Sequence, residues 1–292
     1  MINISYLLST RAGARGIIEK YGLQTKKKLG QHFLVDGFVL GKIISAANVG
    51  KDDLILEVGP GIGSMTEALA ANAKHVVAVE LDKTLVPVLR EIFADKPVTV
   101  HHGDILKIDL PEIFAEFKSS NKIKVVANLP YYITTPVIFY LLESGLPFES
   151  ITVMVQKEVA MRMAAKPGTK DFGSLTLAVQ YMADVELVAN VPVNCFMPRP
   201  AVDSAVVILK LLDKPRVDAD KEKLFKVIHA VFGKRRKTLL NALDSAGFSG
   251  ESGKNGLSEL LEKEGFNPQS RGETFDLETF AKLTDILMRN PL

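Results

Sequence analysis

The amino-acid sequence predicts an α/β fold with a mostly parallel sheet, followed by a small all-helical domain. Four apolar runs have the length and composition of buried strands; they lie at 53–58, 75–80, 97–101 and 123–127. The stretch 64–71, after the first run, is helical in character. Because strands that alternate with helices assemble into parallel sheets, this alternation predicts the fold class.

The C-terminal part of the chain has a different pattern. A charged, proline-containing linker begins at residue 213, and beyond it Leu224, Val227 and Ile228 share one face of a predicted helix. The predicted division is therefore a basic N-terminal extension at 1–28, an α/β domain at 29–212 and a helical domain at 213–292.

The composition excludes several classes of protein. Of the 292 residues 47% are hydrophobic, which is enough for a sizeable core, and the net charge is only +2. No apolar run reaches the ~18 residues of a membrane span, and the first positive charges follow a short apolar patch, the reverse of a secretory signal. Cys195 is the single cysteine, so we expect no internal disulfide and a reducing, cytoplasmic setting.

A glycine-rich turn follows the first strand and precedes the helix. Gly59, Gly61 and Gly63 form a G-x-G-x-G pattern, and such a turn lets a ligand approach the backbone at a helix N-terminus. The dinucleotide pattern G-x-G-x-x-G has a third glycine where this chain has serine. The spacing therefore argues against an NAD-dependent oxidoreductase, which a nicotinamide titration would test.

Polar side chains follow the next three strands as well. Glu80 ends the second strand, Asp104 follows the third and Asn128 follows the fourth. The carboxyl ends of parallel strands meet at one edge of the sheet, where ligands bind, and an acid about twenty residues past the glycines suits ribose hydroxyls. We interpret this edge as a site for S-adenosylmethionine with an acceptor pocket beside it.

The tetrapeptide Asn128-Leu129-Pro130-Tyr131 indicates what the acceptor pocket holds. The Asn128 side chain and the backbone carbonyl beside Pro130 offer two acceptors, and Tyr131 offers a flat ring. Two acceptors beside one aromatic face suit a planar ring with an exocyclic amino group, such as adenine. Taken alone, the tetrapeptide is equally compatible with a simple strand-to-turn connection.

The strands after residue 150 predict a hairpin and a second aromatic group. Predicted strands at 151–155, 184–191 and 204–212 imply one antiparallel edge strand, as in the Rossmann-like class I methyltransferases. The connection at 194–204 is proline-rich, so we expect Phe196 to be presented to the pocket as a second stacking ring. The alternative is that Phe196 fills the core, as we expect of Cys195.

Together these residues resemble the rRNA adenine N6-dimethyltransferase family along nearly the whole chain. The motifs are 29–34 (LGQHFL), 57–61 (EVGPG), 128–131 (NLPY), 156–158 (QKE) and 196–204, which reads FxPxPxVDS. The resemblance implies that His32 and Leu34 line the cofactor pocket, where the family often has Asn in place of His32. It also implies that Gly59 meets the methionine part, Glu80 the ribose, Asp104 the adenine, and Asn128 both cofactor and target amine. Gly61 is a further predicted cofactor-binding residue. The family often continues Asn-Ile-Ser after Pro-Tyr, whereas this chain has Tyr132-Ile-Thr.

Within the family, the basic segment 232–239 favours the small-subunit (16S) rRNA branch. That branch dimethylates N6 of two adjacent adenosines near the 3′ end of the rRNA during ribosome biogenesis. The alternatives are the large-subunit, macrolide-resistance branch and a ribosome-assembly factor whose main role is non-catalytic. The expected partner is small-subunit rRNA or its assembly intermediate, with the chain acting as a monomer. No metal is expected, because His101 and His102 with Asp104 lack a second ligand cluster.

Two basic clusters are the predicted RNA contacts; they are Lys26, Lys27 and Lys28, and Lys234, Arg235, Arg236 and Lys237. The first belongs to an arm expected to be flexible and to follow phosphates, and the second marks a helix start in the C-terminal domain. Either cluster is also compatible with a solvated tail or helix end.

Overall fold

The structure is a computed structural model that describes residues 7–117, 123–233 and 237–290. The chain forms two units: the first comprises Met1–Ala160 and Val185–Leu211, and the second comprises Met161–Asp184 and Leu212–Leu292. The strands are β1 (Phe33–Leu34), β2 (Leu54–Val58), β3 (His75–Glu80), β4 (Val98–His102), β5 (Ile123–Asn128), β6 (Phe148–Gln156), β7 (Ala183–Val191), β8 (Phe196–Met197) and β9 (Ser204–Leu211).

Helices accompany these strands in chain order. They are α1 (Arg11–Lys20), α2 (Gly37–Ala46), α3 (Ser64–Asn72), α4 (Val86–Ile92), α5 (Leu110–Phe114), α6 (Thr134–Glu143), α7 (Lys157–Met163), α8 (Ser174–Gln180), α9 (Lys221–Phe232), α10 (Leu239–Ser245), α11 (Gly253–Lys263) and α12 (Leu277–Arg289). Short 3-10 turns lie at Leu7–Ser9, Lys27–Leu29, Ala115–Phe117, Tyr131–Ile133, Val193–Cys195 and Gly272–Thr274.

Seven strands form one sheet in the order β4-β3-β2-β5-β6-β9-β7. The pairs from β4 through to β6 are parallel, and β9 pairs antiparallel with β6. The predicted fold class is therefore confirmed, and the last strand, β9, is antiparallel as predicted. It lies between β6 and β7, however, and not at the edge of the sheet as the sequence predicts. Strand β2 is buried at every position, which explains why it reads as an unbroken apolar run rather than an alternating one.

Within the predicted N-terminal extension, the structure describes a 3-10 turn at Leu7–Ser9 and the helix α1, which differs from the flexible arm that the sequence predicts. Thr10 caps α1 by accepting a hydrogen bond from the backbone N–H of Gly13 at 3.0 Å, and Ala14 of α1 is fully buried. The Ser64 hydroxyl donates to the Leu8 carbonyl at 2.8 Å, so the segment is fixed to the start of α3.

A separate apolar cluster holds the second unit together. It combines Phe172 and Leu177 with residues of α9 to α12, among them Ile228 and Phe280. Residues 161–184, which the sequence assigns to the α/β domain, therefore belong to the second unit, because their apolar side chains fill this cluster. Among the described helices, none has the length and apolar character that crossing a membrane requires.

Candidate functional site

A cleft in the first unit lies at the carboxyl ends of β2, β3 and β5. The structure brings nearly all of the predicted cofactor and acceptor residues to its wall; they are His32, Leu34, Gly59, Gly61, Glu80, Asp104, Asn128, Leu129, Pro130 and Tyr131. Residues 29–31, before β1, line the cleft as well. The register of the parallel sheet therefore gathers groups that are about a hundred positions apart in the sequence.

The glycine turn is shaped by backbone conformations that other residues rarely adopt. Gly59 and Gly61 have φ angles of +68° and +60°, in the left-handed region that favours glycine. A Cβ at Gly61 would lie 2.9 Å from Cδ1 of Phe33, whereas one at Gly59 would meet no heavy atom of the described residues within 4 Å. The turn thus packs tightly at Gly61 and leaves open space at Gly59.

Glu80 ties this turn to the end of β3. Its Oε2 accepts the backbone N–H of Gly61 at 3.1 Å, and its Oε1 accepts that of Asp82 at 2.7 Å. Burial of the carboxyl raises the pKa of Glu80, although these backbone donors act in the opposite direction. Each carboxylate oxygen can accept more than one hydrogen bond, so Glu80 keeps acceptor capacity towards the cleft.

Glu57 is a second acid of the cleft, and no role was predicted for it. It lies within β2, is 1% exposed, and its Oε2 is among the buried polar atoms that lack a hydrogen-bond partner in the described structure. Burial raises the pKa of Glu57 to about 8, assisted by the negative charge of Glu80 and opposed by the Thr66 hydroxyl. An acid inside an apolar run directly before a glycine turn is the signal that could have identified it.

The orientation of the Asn128 amide is fixed by the backbone. Its Nδ2 donates to the carbonyl oxygen of His32 at 2.9 Å, and a carbonyl accepts only from the NH₂ group. The Asn128 Oδ1 is therefore the remaining polar atom of this side chain. The backbone N–H of Leu129 donates to the Met154 carbonyl at 3.1 Å, which anchors the tetrapeptide to β6.

Tyr131 is half-buried and held from two sides. Its ring stacks on the His32 ring, with 5.9 Å between centroids and 26° between planes. Its hydroxyl hydrogen-bonds to Oγ of Ser204 at 2.7 Å, and burial raises its pKa. The Nδ1 atom of His32 lies 2.9 Å from the Pro198 carbonyl, so His32 connects the tetrapeptide to the proline-rich segment.

Phe196 does not lie where the sequence predicts. It is fully buried in a core cluster with Leu34, Ile43 and Val206, and it is absent from the described wall of the cleft. The cause is the pairing of β8 with β1, in which Phe196 lies opposite Leu34. The prediction of a second stacking ring is wrong for this structure, and the core alternative holds; Cys195 is buried in the same cluster.

The first basic cluster is partly engaged within the protein. Lys26 Nζ forms an ion pair of 2.5 Å with Asp82, whose side chain is 1% exposed, and Gln31 Nε2 donates to the same carboxylate at 2.9 Å. Burial by itself would raise the pKa of Asp82, but the hydrogen bonds from Lys26 and Thr84 outweigh it and lower the pKa to about 2. Lys26 thus fixes residues 26–31 beside the cleft instead of facing an external phosphate.

The remaining predicted RNA contacts are only partly described. Lys28 is exposed, and the main chain at Lys27 belongs to a 3-10 turn. Lys237 is exposed, and its Nζ donates to Oγ of Ser245 at 2.8 Å. The predicted contacts Lys234, Arg235 and Arg236 lie outside the described residues. Among the residues that the structure does describe, no cluster of three or more His, Cys, Asp or Glu side chains could hold a metal ion.

Comparison with known proteins agrees with this architecture. A protein 52% identical over 274 residues, 93% of this chain and 94% of its own length, is the "Ribosomal RNA small subunit methyltransferase A" of Lachnoclostridium phytofermentans. The protein of the same name from Shouchella clausii is 46% identical over 98% of this chain and 97% of its own length.

Solved structures and a family model extend the comparison. A dimethyladenosine transferase from Plasmodium falciparum superposes with a TM-score of 0.72 at 27% identity, covering 86% of this chain and 96% of that structure. The family model described as "Ribosomal RNA adenine dimethylase" matches residues 22–282. The chain belongs to the ribosomal RNA adenine dimethylase family.

Proposed function

We propose that this protein transfers methyl groups from S-adenosylmethionine to N6 of adenosines in small-subunit rRNA, two methyls per base. The observation that carries the proposal is the Asn128 amide, whose Nδ2 is occupied by the His32 carbonyl so that Oδ1 remains as an acceptor at the cleft. Family membership supports the rRNA adenine as target, and the names of the relatives support the small subunit.

The cleft suits the cofactor in its chemistry. Glu80 offers a buried carboxylate to the ribose hydroxyls. Asp104 lines the same wall of the cleft, and its carboxylate can accept hydrogen bonds from the adenine amino group. The open space at Gly59 admits a ligand against the backbone, and a positively charged ligand beside Glu57 would favour the ionised form of that buried carboxyl. When bound, the cofactor supplies an electrophilic methyl group on a sulfonium, so the protein needs neither a nucleophile nor a metal.

The protein's own task is then to position the target base. The N6 lone pair of adenine is delocalised into its ring, and acceptance of the N6 hydrogens by Asn128 Oδ1 and the Leu129 carbonyl localises and aims it. Pro130 disfavours a helical conformation at Leu129, so helical structure begins only after it, at Tyr131, and Tyr131 offers its ring to the base. The proton released on methylation passes to water, and most of the rate enhancement comes from orientation. A base inside a duplex must first be extruded.

We assign RNA backbone contacts to the exposed cations Lys28 and Lys237, with Lys27, Lys234, Arg235 and Arg236 as further contacts. Lys26 is left out because of its ion pair with Asp82. Because its target is ribosomal RNA, we place the protein's action in the cytoplasm. We propose a monomer as the active form.

One experiment tests the target. Labelled S-adenosylmethionine is offered with under-methylated small subunits, naked large-subunit rRNA and free adenosine, and the labelled base is mapped. We expect label at N6 of small-subunit adenosines only. Label confined to large-subunit rRNA would overturn the choice of branch, and no label in any substrate would leave a non-catalytic assembly role.

Variants of Asn128 test the acceptor site. Asn128→Ala should reduce turnover at least ~100-fold, since positioning carries most of the catalysis, with only modestly weaker cofactor binding. Asn128→Asp keeps an oxygen but loses the N–H that donates to the His32 carbonyl. We expect turnover to fall by ~10–100-fold, because the carboxylate cannot pair with that carbonyl oxygen and is repelled by it. Asn72→Ala is the matched control, because the Asn72 amide also donates to a backbone carbonyl, at 2.8 Å, but does not line the cleft. Full turnover of Asn128→Ala would refute the assignment.

A further inference from the structure

Tyr132 is an exposed aromatic residue at the edge of the cleft. Its side chain is 55% exposed, although the ring lines the same wall as Glu80 and Asp104. It also occupies a position where the resemblance to the family leads one to expect a smaller polar residue. An uncovered ring at the mouth of a ligand site gains apolar contact when a flat ligand arrives.

The two consecutive tyrosines face different parts of the cleft. Tyr131 is turned towards Ser204 and His32, on the acceptor side. The Tyr132 ring lies over Gly30, where a Cβ would be 3.5 Å from its Cδ1. Gly30 has a φ of +60°, in the left-handed region that favours glycine, and its backbone lies in van der Waals range of the ring.

Tyr132 shares the wall of the cleft with Glu80 and Asp104. Burial raises the pKa of the Tyr132 hydroxyl, and the negative charges of Asp104 and Glu80 raise it further. These acids are the ones that the proposed function assigns to the adenine and the ribose. Because its side chain lines the cleft together with these two acids, we place the Tyr132 ring at the adenosine half of the ligand.

We propose that Tyr132 covers the adenosine half of S-adenosylmethionine and of its demethylated product, and that it sets this protein's affinity for both. The inference rests on the proposed cofactor but not on which RNA is methylated. Tyr132 is a cofactor-binding residue: it holds the ligand through its ring face and takes no part in the methyl transfer. The phenol oxygen is not required, because stacking uses the π face.

The test is direct binding of S-adenosylhomocysteine and of 5′-methylthioadenosine, measured by calorimetry on the full chain. Tyr132→Ala should weaken both ligands by ~5–100-fold, the range expected for loss of one stacked ring. Tyr132→Phe should bind within about twofold of the unaltered protein if stacking is the source of affinity. Because 5′-methylthioadenosine lacks the amino-acid part, an equal loss for both ligands locates the contact at the adenosine.

The control is Phe38→Ala, another exposed aromatic residue of the first unit, 67% exposed and absent from the described wall of the cleft; its affinities should not change. In turnover assays Tyr132→Ala should raise KM for S-adenosylmethionine and keep kcat at saturation. If Tyr132→Ala bound both adenosine ligands as the unaltered protein does but had a raised KM for the small subunit, Tyr132 would contact the RNA instead. That result would overturn the inference, while the proposed function would stand. If the unaltered protein bound neither ligand, both proposals would fail.

Discussion

The buried carboxyl of Glu57 makes the stability of the first unit depend on pH in a defined direction. Its pKa is raised from the ordinary value of 4.5 to about 8, mainly by burial. A group that holds its proton more tightly in the folded chain stabilises the fold fully below its unfolded pKa and loses that contribution as the pH rises through its folded pKa. The window is therefore 4.5 to about 8.

The magnitude follows from the width of that window. One pH unit corresponds to about 1.4 kcal/mol, so the interval from 4.5 to about 8 gives an upper limit of about 5 kcal/mol. Glu57→Gln keeps the shape of the side chain and cannot ionise. We expect the free energy of unfolding of the unaltered protein, minus that of Glu57→Gln, to fall by up to about 1.4 kcal/mol per pH unit across the window.

The assay is urea unfolding of the cofactor-free chain at a series of pH values, followed by circular dichroism. Subtracting one protein from the other cancels the titration of all groups that the two share. Glu251→Gln replaces an exposed acid and should give a difference that stays within about 0.5 kcal/mol of zero. If the Glu57→Gln difference were equally flat, the raised pKa would be refuted.

Three further substitutions test the packing around the cleft. Gly61→Ala should lower the free energy of unfolding by about 1–3 kcal/mol, because alanine must adopt a left-handed conformation there and its Cβ would contact Phe33. The control Gly16→Ala, in open space within α1, should raise the free energy of unfolding by up to about 1 kcal/mol. Equal effects of the two substitutions in urea unfolding would contradict this reasoning. The ionised Asp82 carboxylate contributes stability above pH 3.8 that is lost as the pH falls towards about 2. Asp82→Asn should remove this contribution. Acid-unfolding curves that coincide with those of the unaltered protein would show that the contribution does not exist. Phe196→Ala should cost about 3–5 kcal/mol of unfolding free energy, but Phe196→Leu should keep turnover per folded molecule; a stable, inactive Phe196→Leu would restore the stacking role.

The sheet edge could be predicted because it depends on local signals. Apolar runs marked β2, β3 and β5 to within a residue of their ends, and the topology of parallel sheets then placed Glu80, Asp104 and Asn128 together. Nothing beyond strand identity and strand direction was needed. The same reasoning passed over Glu57, since one acid in an apolar run affects neither the strand pattern nor the glycine spacing.

The parts that were mispredicted depend on partners far away in the chain. Phe196 is buried because two-residue strands pair with each other although Leu34 and Phe196 are 162 positions apart, and no local pattern specifies that pairing. Lys26 reads as one of three consecutive cations, but its partner Asp82 is 56 positions away. Residues 161–184 join the second unit through apolar packing that becomes visible only when α9 to α12 are assembled.

The dependence of Asn128 on a backbone carbonyl explains which parts of the N-terminal motif can vary. The acceptor of its amide is the main chain of His32, and the position of that main chain is set on both sides: Gln31 is bound to Asp82, and Phe33 pairs with Met197. The imidazole itself is not needed for this contact. A family that often has Asn at this position can therefore keep the same orientation of the Asn128 amide, provided that the path of the backbone is unchanged. The motif at 29–34 and the motif at 128–131 thus act as one unit, because the first supplies the carbonyl that leaves Asn128 Oδ1 as the acceptor atom at the cleft.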